Sequence, residues 1–253
     1  MLKFLSLALL ASSAAAHMVM SYPPPRGSKS SPPIDYDLNA PLGDGKPFPC
    51  GGKKASKVTA TLHAGTHLNS SLLDAPGANF HDGGHCQFAV SYDEKNWVVL
   101  ATVIRECLRQ DGLNYDIPIP IDIPQADRAT FAWTWINAEG NREYYMNCAD
   151  VKIVSNSNSF SGPELFVANL PGYPTIPEMA LVKPAKDGRQ YLTDGARKTI
   201  TVSNGNQPTA TAKPTTKPTT AAPSTAKTTK TTKTTKSKKT KSSKTKKSKS
   251  KQA

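Results

Sequence analysis

Between residues 58 and 153, apolar and β-branched side chains come in short runs broken by turn residues, a pattern with the period of strands rather than helices. Val58 to Leu68, Gln87 to Tyr92, Trp97 to Ile104, Tyr115 to Ile123, Thr130 to Asn137 and Tyr144 to Ile153 are the predicted strands. Asp93-Glu94-Lys95-Asn96 is expected to close a hairpin between the second and third. In Tyr115 to Ile123 the isoleucines alternate with Pro118, Pro120 and Asp122. Proline has no N–H to give to a ladder, so this strand belongs at a sheet edge. In the last strand, alternation puts Glu143 and Tyr145 on one face and Tyr144 and Met146 on the other. No amphipathic helical repeat competes with these runs, and short strands with frequent turns predict an all-β fold, a β-sandwich.

The flanks read differently. From Met18 to Gly52 the chain is rich in Pro, Gly, Ser and Asp, including Pro23-Pro24-Pro25 and Pro32-Pro33, and is expected to form long ordered loops rather than regular structure. Phe160 to Leu170 carries enough apolar residues to pack on the sandwich, and Leu181 to Ser203 mixes Pro, Gly and charge, so the segment from about 154 to 203 reads as a wrapping extension. From Asn204 to Ala253, Thr, Ser, Pro and Lys dominate, and almost nothing apolar is available to bury; a disordered tail is expected, with O-glycosylation. It ends without a hydrophobic stretch, which argues against a GPI anchor.

Charge is divided unevenly. The chain carries 32 Lys+Arg against 19 Asp+Glu, but 14 of the lysines lie from Lys213 onward with no acid among them. Setting those and Lys3 aside leaves 17 basic and 19 acidic residues over 17–203, a net −2, so the basic character belongs to the tail. That tail would attract anionic cell-wall polymers through salt-dependent contacts, while the absence of interleaved aromatics excludes specific nucleic-acid recognition. Its alternative reading is a solvated spacer.

At the other end, Lys3, the apolar run from Phe4 to Leu10 and Ala14-Ala15-Ala16 match the three parts of a secretory signal over residues 1–16, and the apolar run is too short for a membrane span. A secreted, extracellular protein is expected, and four cysteines in such a chain are most simply two disulfides. Counting alone allows three pairings. Cys86 and Cys107 flank an apparent hairpin and are paired on that ground, which leaves Cys50 with Cys148. No two cysteines are close enough in sequence for a zinc knuckle. Asn69-Ser70-Ser71 is an N-glycosylation acceptor and is expected in a surface loop.

Cleavage after Ala16 would make His17 the N-terminus, where its α-amine and ring Nδ1 can close on one metal ion; nitrogen ligands of this kind suit copper. If the cut falls elsewhere, His17 is an ordinary surface residue. A third nitrogen is needed, and His81 is the choice, in Asn79-Phe80-His81-Asp82-Gly83-Gly84-His85-Cys86-Gln87, where two glycines allow a tight turn and Cys86 anchors it. His85 is the local rival. His63 and His67 share a strand face on this reading but are taken as surface residues. If the Glu143 and Tyr145 face looks at copper, the phenol can sit on an axial side and the carboxylate can contact a bound oxygen species; without a metal the segment is a turn leading into a strand.

Five segments in register carry a resemblance: His17-Met18-Val19-Met20, Phe48-Pro49-Cys50, the His81 to Gln87 stretch, Phe131-Ala132-Trp133-Thr134-Trp135 and Gly140 to Cys148. Together they resemble fungal lytic polysaccharide monooxygenases, in particular the chitin-active group, auxiliary activity family eleven. The resemblance implies an immunoglobulin-like or fibronectin-like β-sandwich with long loops. It also implies one copper ion held by His17 and His81, with Tyr145 axial and Glu143 behind it, and the same disulfide pairing. The implied activity is oxidative cleavage at C1 or C4 of a crystalline, insoluble polysaccharide, chitin favoured, by a monomer using an external reductant and H2O2 or O2. Where the family usually has a small alanine two residues before the second histidine, this chain has Asn79, which bears on access to the other axial side. Two other functions fit the residues less fully. A non-catalytic copper-binding protein of the same fold would not need both Glu143 and Tyr145, and a cell-wall or matrix-binding protein would act through the tail.

Overall fold

The structure, a computed structural model, describes residues 18–74, 79–109 and 113–203. The expected leader over 1–16, His17 and the tail from Asn204 lie outside the described residues. Strands β1 (Met18–Tyr22), β3 (His67–Asp74) and β6 (Asn114–Pro118) form an antiparallel sheet in the order β1-β3-β6. Strands β2 (Ala60–His63), β4 (Gly84–Ser91), β5 (Trp97–Val103), β7 (Ala126–Asn137) and β8 (Tyr144–Val154) form the larger sheet, ordered β2-β8-β7-β4-β5. Its pairs are antiparallel except that β2 runs parallel to β8. The two sheets share one core, which makes the fold the expected all-β sandwich. A further antiparallel pair, β9 (Ser159–Pro163) and β10 (Thr199–Ser203), adds Phe160, Ile200 and Val202 to that core. No α-helix occurs among the described residues, and none of their helical turns is long and apolar enough to cross a membrane.

Strand β7 shows how the sequence divides between two apolar layers. Phe131, Trp133 and Trp135 alternate inward, into the space between the sheets, whereas Ala132 and Ile136 face outward. Outward does not mean solvated here. A second apolar layer covers that face, built from Leu42 and Cys50 of the early loops and Leu165, Val167, Ile176 and Met179 of the extension. Tyr144 and Met146 belong to this outer layer and Tyr145 to the inner one, the division that strand alternation predicts. Burial on both faces lets β4 bury every residue.

Two covalent links and one ion network pin the loops. Cys50 is bonded to Cys148, with Cα atoms 5.4 Å apart, and Cys86 to Cys107, at 5.5 Å. Arg26, only 2% exposed, follows Pro23-Pro24-Pro25 directly. Its Nε and Nη2 donate to the two Asp150 carboxylate oxygens at 2.8 Å each, and Nη2 also reaches Thr130 Oγ1 at 2.9 Å and Glu94 Oε1 at 2.7 Å. A buried charge needs this degree of pairing.

Several expectations require correction. Val58 to Leu68 is not one strand: Gly65, at a φ of 77°, makes a tight turn, and the chain passes from β2 in the larger sheet to β3 in the smaller. His63 and His67 therefore share no strand face. Met18–Tyr22 was expected to be loop, yet it is a strand whose Met18 and Met20 are buried, a period-2 signal too short to stand out beside the following prolines. The edge strand stops at Pro118, although its edge position in the sheet is as expected. Asn69 is exposed, but on β3 rather than in a loop.

Candidate active site

Three strand ends meet at one end of the larger sheet. Gly84 opens β4 opposite Asn137, which closes β7, and Tyr144 opens β8 opposite Ile136. The turn entering β4 holds three successive residues in left-handed conformation: His81 at a φ of 45°, Asp82 at 53° and Gly83 at 82°. Side chains larger than glycine's rarely stay there unaided. Here the turn is held from all sides. Asn79 Oδ1 accepts the His81 N–H at 2.9 Å, Gly83 N–H donates to the Phe80 carbonyl at 2.7 Å, and Glu139 N–H donates to the His81 carbonyl at 3.0 Å. The Asp82 carboxylate takes Arg105 at 2.5 Å and Arg109 at 3.2 Å, from the arm tethered by Cys107. Asn79 thus spends its carboxamide oxygen on capping this turn.

The His81 ring is wedged between two surfaces. One is the Trp135 indole, its ring centre 5.8 Å away; the other is the backbone of Gly140, where an added Cβ would stand 3.1 Å from Nδ1. Burial pushes the imidazole below its ordinary pKa, with Arg142 acting the same way and Glu143 opposing. The ring is therefore neutral at pH 7, and its buried Nε2 has no hydrogen-bond partner among the described residues. A buried ring nitrogen of this kind calls for a partner.

Tyr145 packs against the same indole, ring centres 4.7 Å apart. Its hydroxyl donates to Glu143 Oε2 at 2.6 Å. Burial first, and then the Glu143 carboxylate, drive the phenol's pKa upward, so it stays protonated as the donor. His81, Glu143 and Tyr145 are thus brought together around Trp135 and the loop 138–143. His17 precedes β1 directly, and β1 is fastened to β8 by the Met20 N–H donated to Asn147 Oδ1 at 2.8 Å.

The rival histidines take other roles. His85 is 2% exposed, its Nδ1 accepting the Arg105 N–H at 3.0 Å and its Nε2 donating to the Asp187 carbonyl at 3.0 Å. Both ring nitrogens are engaged in structure, so neither is free for a metal. His63 and His67 are exposed, and His67 Nδ1 pairs with Asp116 Oδ2 at 2.8 Å. Among the described residues, no three His, Cys, Asp or Glu side chains converge as a metal site. Any metal site at His81 would therefore draw further ligands from outside that set, and the expected ligand His17 lies outside the described residues.

The chain is 41% identical over 177 residues to the AA11 family lytic polysaccharide monooxygenase A of Aspergillus fumigatus, a match spanning 64% of this chain and 78% of that protein. The chain belongs to this family. An AA11 family lytic polysaccharide monooxygenase of Aspergillus oryzae is 31% identical over 207 residues, and the AA11 enzyme B of Aspergillus fumigatus 30% over 202. These matches take in 68% and 65% of this chain but only 47% and 46% of the two longer relatives. No protein-family model matches the chain. As a lytic polysaccharide monooxygenase it is a copper-dependent oxidoreductase, and the donor set at this end of the sandwich suits copper. A neutral imidazole has an Nε2 with no partner among the described residues, and a phenol packs on the same indole as that ring.

Sequence reasoning missed the residues that hold the loop 138–143 in shape. Asn137 is fully buried and donates through Nδ2 to the carbonyls of Glu139, at 2.8 Å, and Asn141, at 2.7 Å. Its Oδ1 accepts the Glu143 N–H at 3.2 Å. Asn169 Nδ2 donates to the Glu143 carbonyl at 3.0 Å, and Glu178 Oε1 accepts the Gly140 N–H at 2.5 Å. The available signal for Asn137 was a side-chain amide ending an apolar strand just before a glycine-containing loop, a common place for a residue that satisfies turn backbone.

Proposed function

We propose that this chain is a secreted copper enzyme that cleaves a crystalline, insoluble polysaccharide by oxidation at C1 or C4, with chitin the favoured substrate. The single observation that carries the reading is the buried, neutral, unpartnered His81 Nε2 beside the Tyr145–Glu143 pair. His17, through its amine and Nδ1, and His81, through Nε2, would hold the metal, with the Tyr145 phenol as a further candidate ligand. Copper bound there would supply one-electron redox chemistry for oxidation of the C–H bond beside the glycosidic link, with the oxygen atom coming from H2O2, or from O2 with two electrons from an external reductant, and the second oxygen leaving as water.

The protein's own residues supply position. Trp135 and Gly140 fix the plane of the His81 ring, and the ring's depressed pKa keeps its lone pair available at neutral pH. Glu143 is aimed by three partners: Tyr145 at its carboxylate, Asn137 at its N–H and Asn169 at its carbonyl. It is half-buried, so its free oxygen can accept a proton or hydrogen bond from an oxygen co-substrate at the site. Chitin is favoured by the family resemblance. Secretion follows from the leader read at 1–16, and attachment to anionic wall polymers from the lysine tail.

The test is the N-terminal mass of the secreted chain, the Cu(II) EPR spectrum, and oxidised products from chitin and cellulose. The expected result is a free His17, a nitrogen-rich tetragonal signal lost in His81→Ala, and oxidised chito-oligosaccharides that fall in Glu143→Gln while copper affinity holds. A brace-type spectrum with no oxidised product from either polymer would make this a copper-binding protein only. Copper binding indifferent to both histidines would refute the site.

A further inference from the structure

We propose that Asn137 is a positioning residue that sets the geometry of His81 and Glu143 together, through the loop 138–143; the inference rests on the site reading above. Glu143 stands at one end of this loop, and the middle of the loop is pressed against the His81 ring. Asn137, closing β7 at the other end, spans the loop with a single side chain. Its two N–H groups are both used, on the Glu139 and Asn141 carbonyls, and its oxygen takes the Glu143 N–H. The side chain thus supplies to the loop what a cross-strand ladder would supply if the hairpin continued.

The consequence is mechanical coupling. Ala138 N–H donates to the Gly83 carbonyl at 2.9 Å and Glu139 N–H to the His81 carbonyl at 3.0 Å, so the loop's first residues are stitched to the histidine turn. Gly140, in left-handed conformation at a φ of 85°, faces the ring itself. Fixing Glu139 and Asn141 fixes the Gly140 backbone between them, and with it one wall of the His81 pocket. The same amide fixes Glu143 at its N–H. One buried side chain therefore governs both the orientation of a copper ligand and the aim of the carboxylate. A purely structural role would need none of this convergence.

The isosteric Asn137→Asp is the sharpest variant, because it keeps shape and volume while placing carboxylate oxygen against two carbonyls. The measurements are the Cu(II) EPR hyperfine pattern, the melting temperature, and the separate kcat and KM for H2O2 in the oxidation of chitin, on the full secreted chain. Tyr92→Phe serves as control: its hydroxyl donates to the Pro124 carbonyl at 2.7 Å, at the opposite end of the sandwich. Asn137→Asp is expected to shift the hyperfine pattern and to lower kcat by roughly 100-fold, the scale of a small misplacement of reacting groups, with KM little changed. Tyr92→Phe should lower the melting temperature and leave the spectrum alone. An unmoved spectrum and kcat in Asn137→Asp, with only a lower melting temperature, would overturn the proposal. If that variant does not fold, Gly140→Ala pushes a methyl toward His81 from an exposed position, and an unchanged spectrum there would overturn it equally. The native chain is recorded first: lack of a histidine-dependent copper spectrum refutes the site reading, whereas a native spectrum that these variants do not alter refutes the positioning role alone.

Discussion

The Tyr145–Glu143 hydrogen bond can be tested as an energy, free of any metal. The donor is a phenol 1% exposed and the acceptor a half-buried carboxylate at 2.6 Å. Hydrogen bonds to charged groups contribute about 1.5–3 kcal/mol to stability, and this one belongs at the lower end because Glu143 keeps some access to water. Glu143→Gln retains a carbonyl oxygen that can still accept, so it removes only the charge assistance. Because charge-assisted bonds are about twice as strong as neutral ones, the double-mutant cycle of Tyr145→Phe with Glu143→Gln should register a coupling of about 1 kcal/mol. The assay is urea unfolding of the copper-free protein for the native chain, both single variants and the double. Each single variant should be less stable than the native chain, and the double less destabilised than their sum. Additivity to within about 0.5 kcal/mol, the scatter of independent sites, would refute the claim that the phenol holds the carboxylate.

Two other outcomes follow from buried charge. Burial depresses the His85 imidazole below its ordinary 6.5, and its Nδ1 faces an N–H donor, so protonation favours the unfolded chain. Stability is then full above about pH 6.5 and is lost as the pH falls through that value, with a second loss below 3.8 where Asp187 gives up the low pKa that Arg189 maintains against burial. Urea midpoints at pH 8 and pH 5 should show this slope, and His85→Gln should flatten its upper part; an equal slope in the variant would remove His85 as the cause. Arg26→Met strands Asp150 inside the protein and should cost about 3–5 kcal/mol, whereas Arg26→Met with Asp150→Leu should cost less than the single change, both read by chemical unfolding.

The larger sheet was legible because its strands are long enough to show their period and because aromatic and β-branched residues mark them. In β7 the alternation of Phe131, Trp133 and Trp135 with Ala132 and Ile136 fixes which side chains enter which layer. The smaller sheet was not legible to the same degree. Five residues of β1 carry only two buried methionines, and Gly65 splits what looks like one strand into parts of two sheets. A tight turn within a run of apolar and threonine residues leaves no compositional trace except the glycine, and a single glycine in a strand also marks a bulge. The outer apolar layer was legible only in part. Leu165 lies in the Phe160 to Leu170 stretch expected to pack on the sandwich, but Leu42 and Cys50 come from a segment read as ordered loop, and only the fold shows that they and Met179 cover a sheet face.

At the site the same contrast has a chemical cause. His81, Glu143 and Tyr145 stand out in sequence because imidazole, carboxylate and phenol are the groups that ligate and transfer protons. Asn137, Asn169 and Glu178 do not, because their work is to satisfy backbone N–H and carbonyl groups of irregular loops, which any buried loop requires. Yet the geometry rests on them. The His81 turn holds two non-glycine residues at positive φ, and Glu143 precedes β8 rather than lying within it, so neither is placed by a ladder. What replaces the ladder is side-chain amide and carboxylate bonding, from Asn79 to His81, from Asn137 and Asn169 to Glu143, and from Glu178 to Gly140. A residue's chemistry can thus be read from its type, but its aim depends on partners in other loops, some of them distant along the chain, as Asn169 is from Glu143. Substitutions at those partners should accordingly alter rate and spectrum before they alter whether the chain folds.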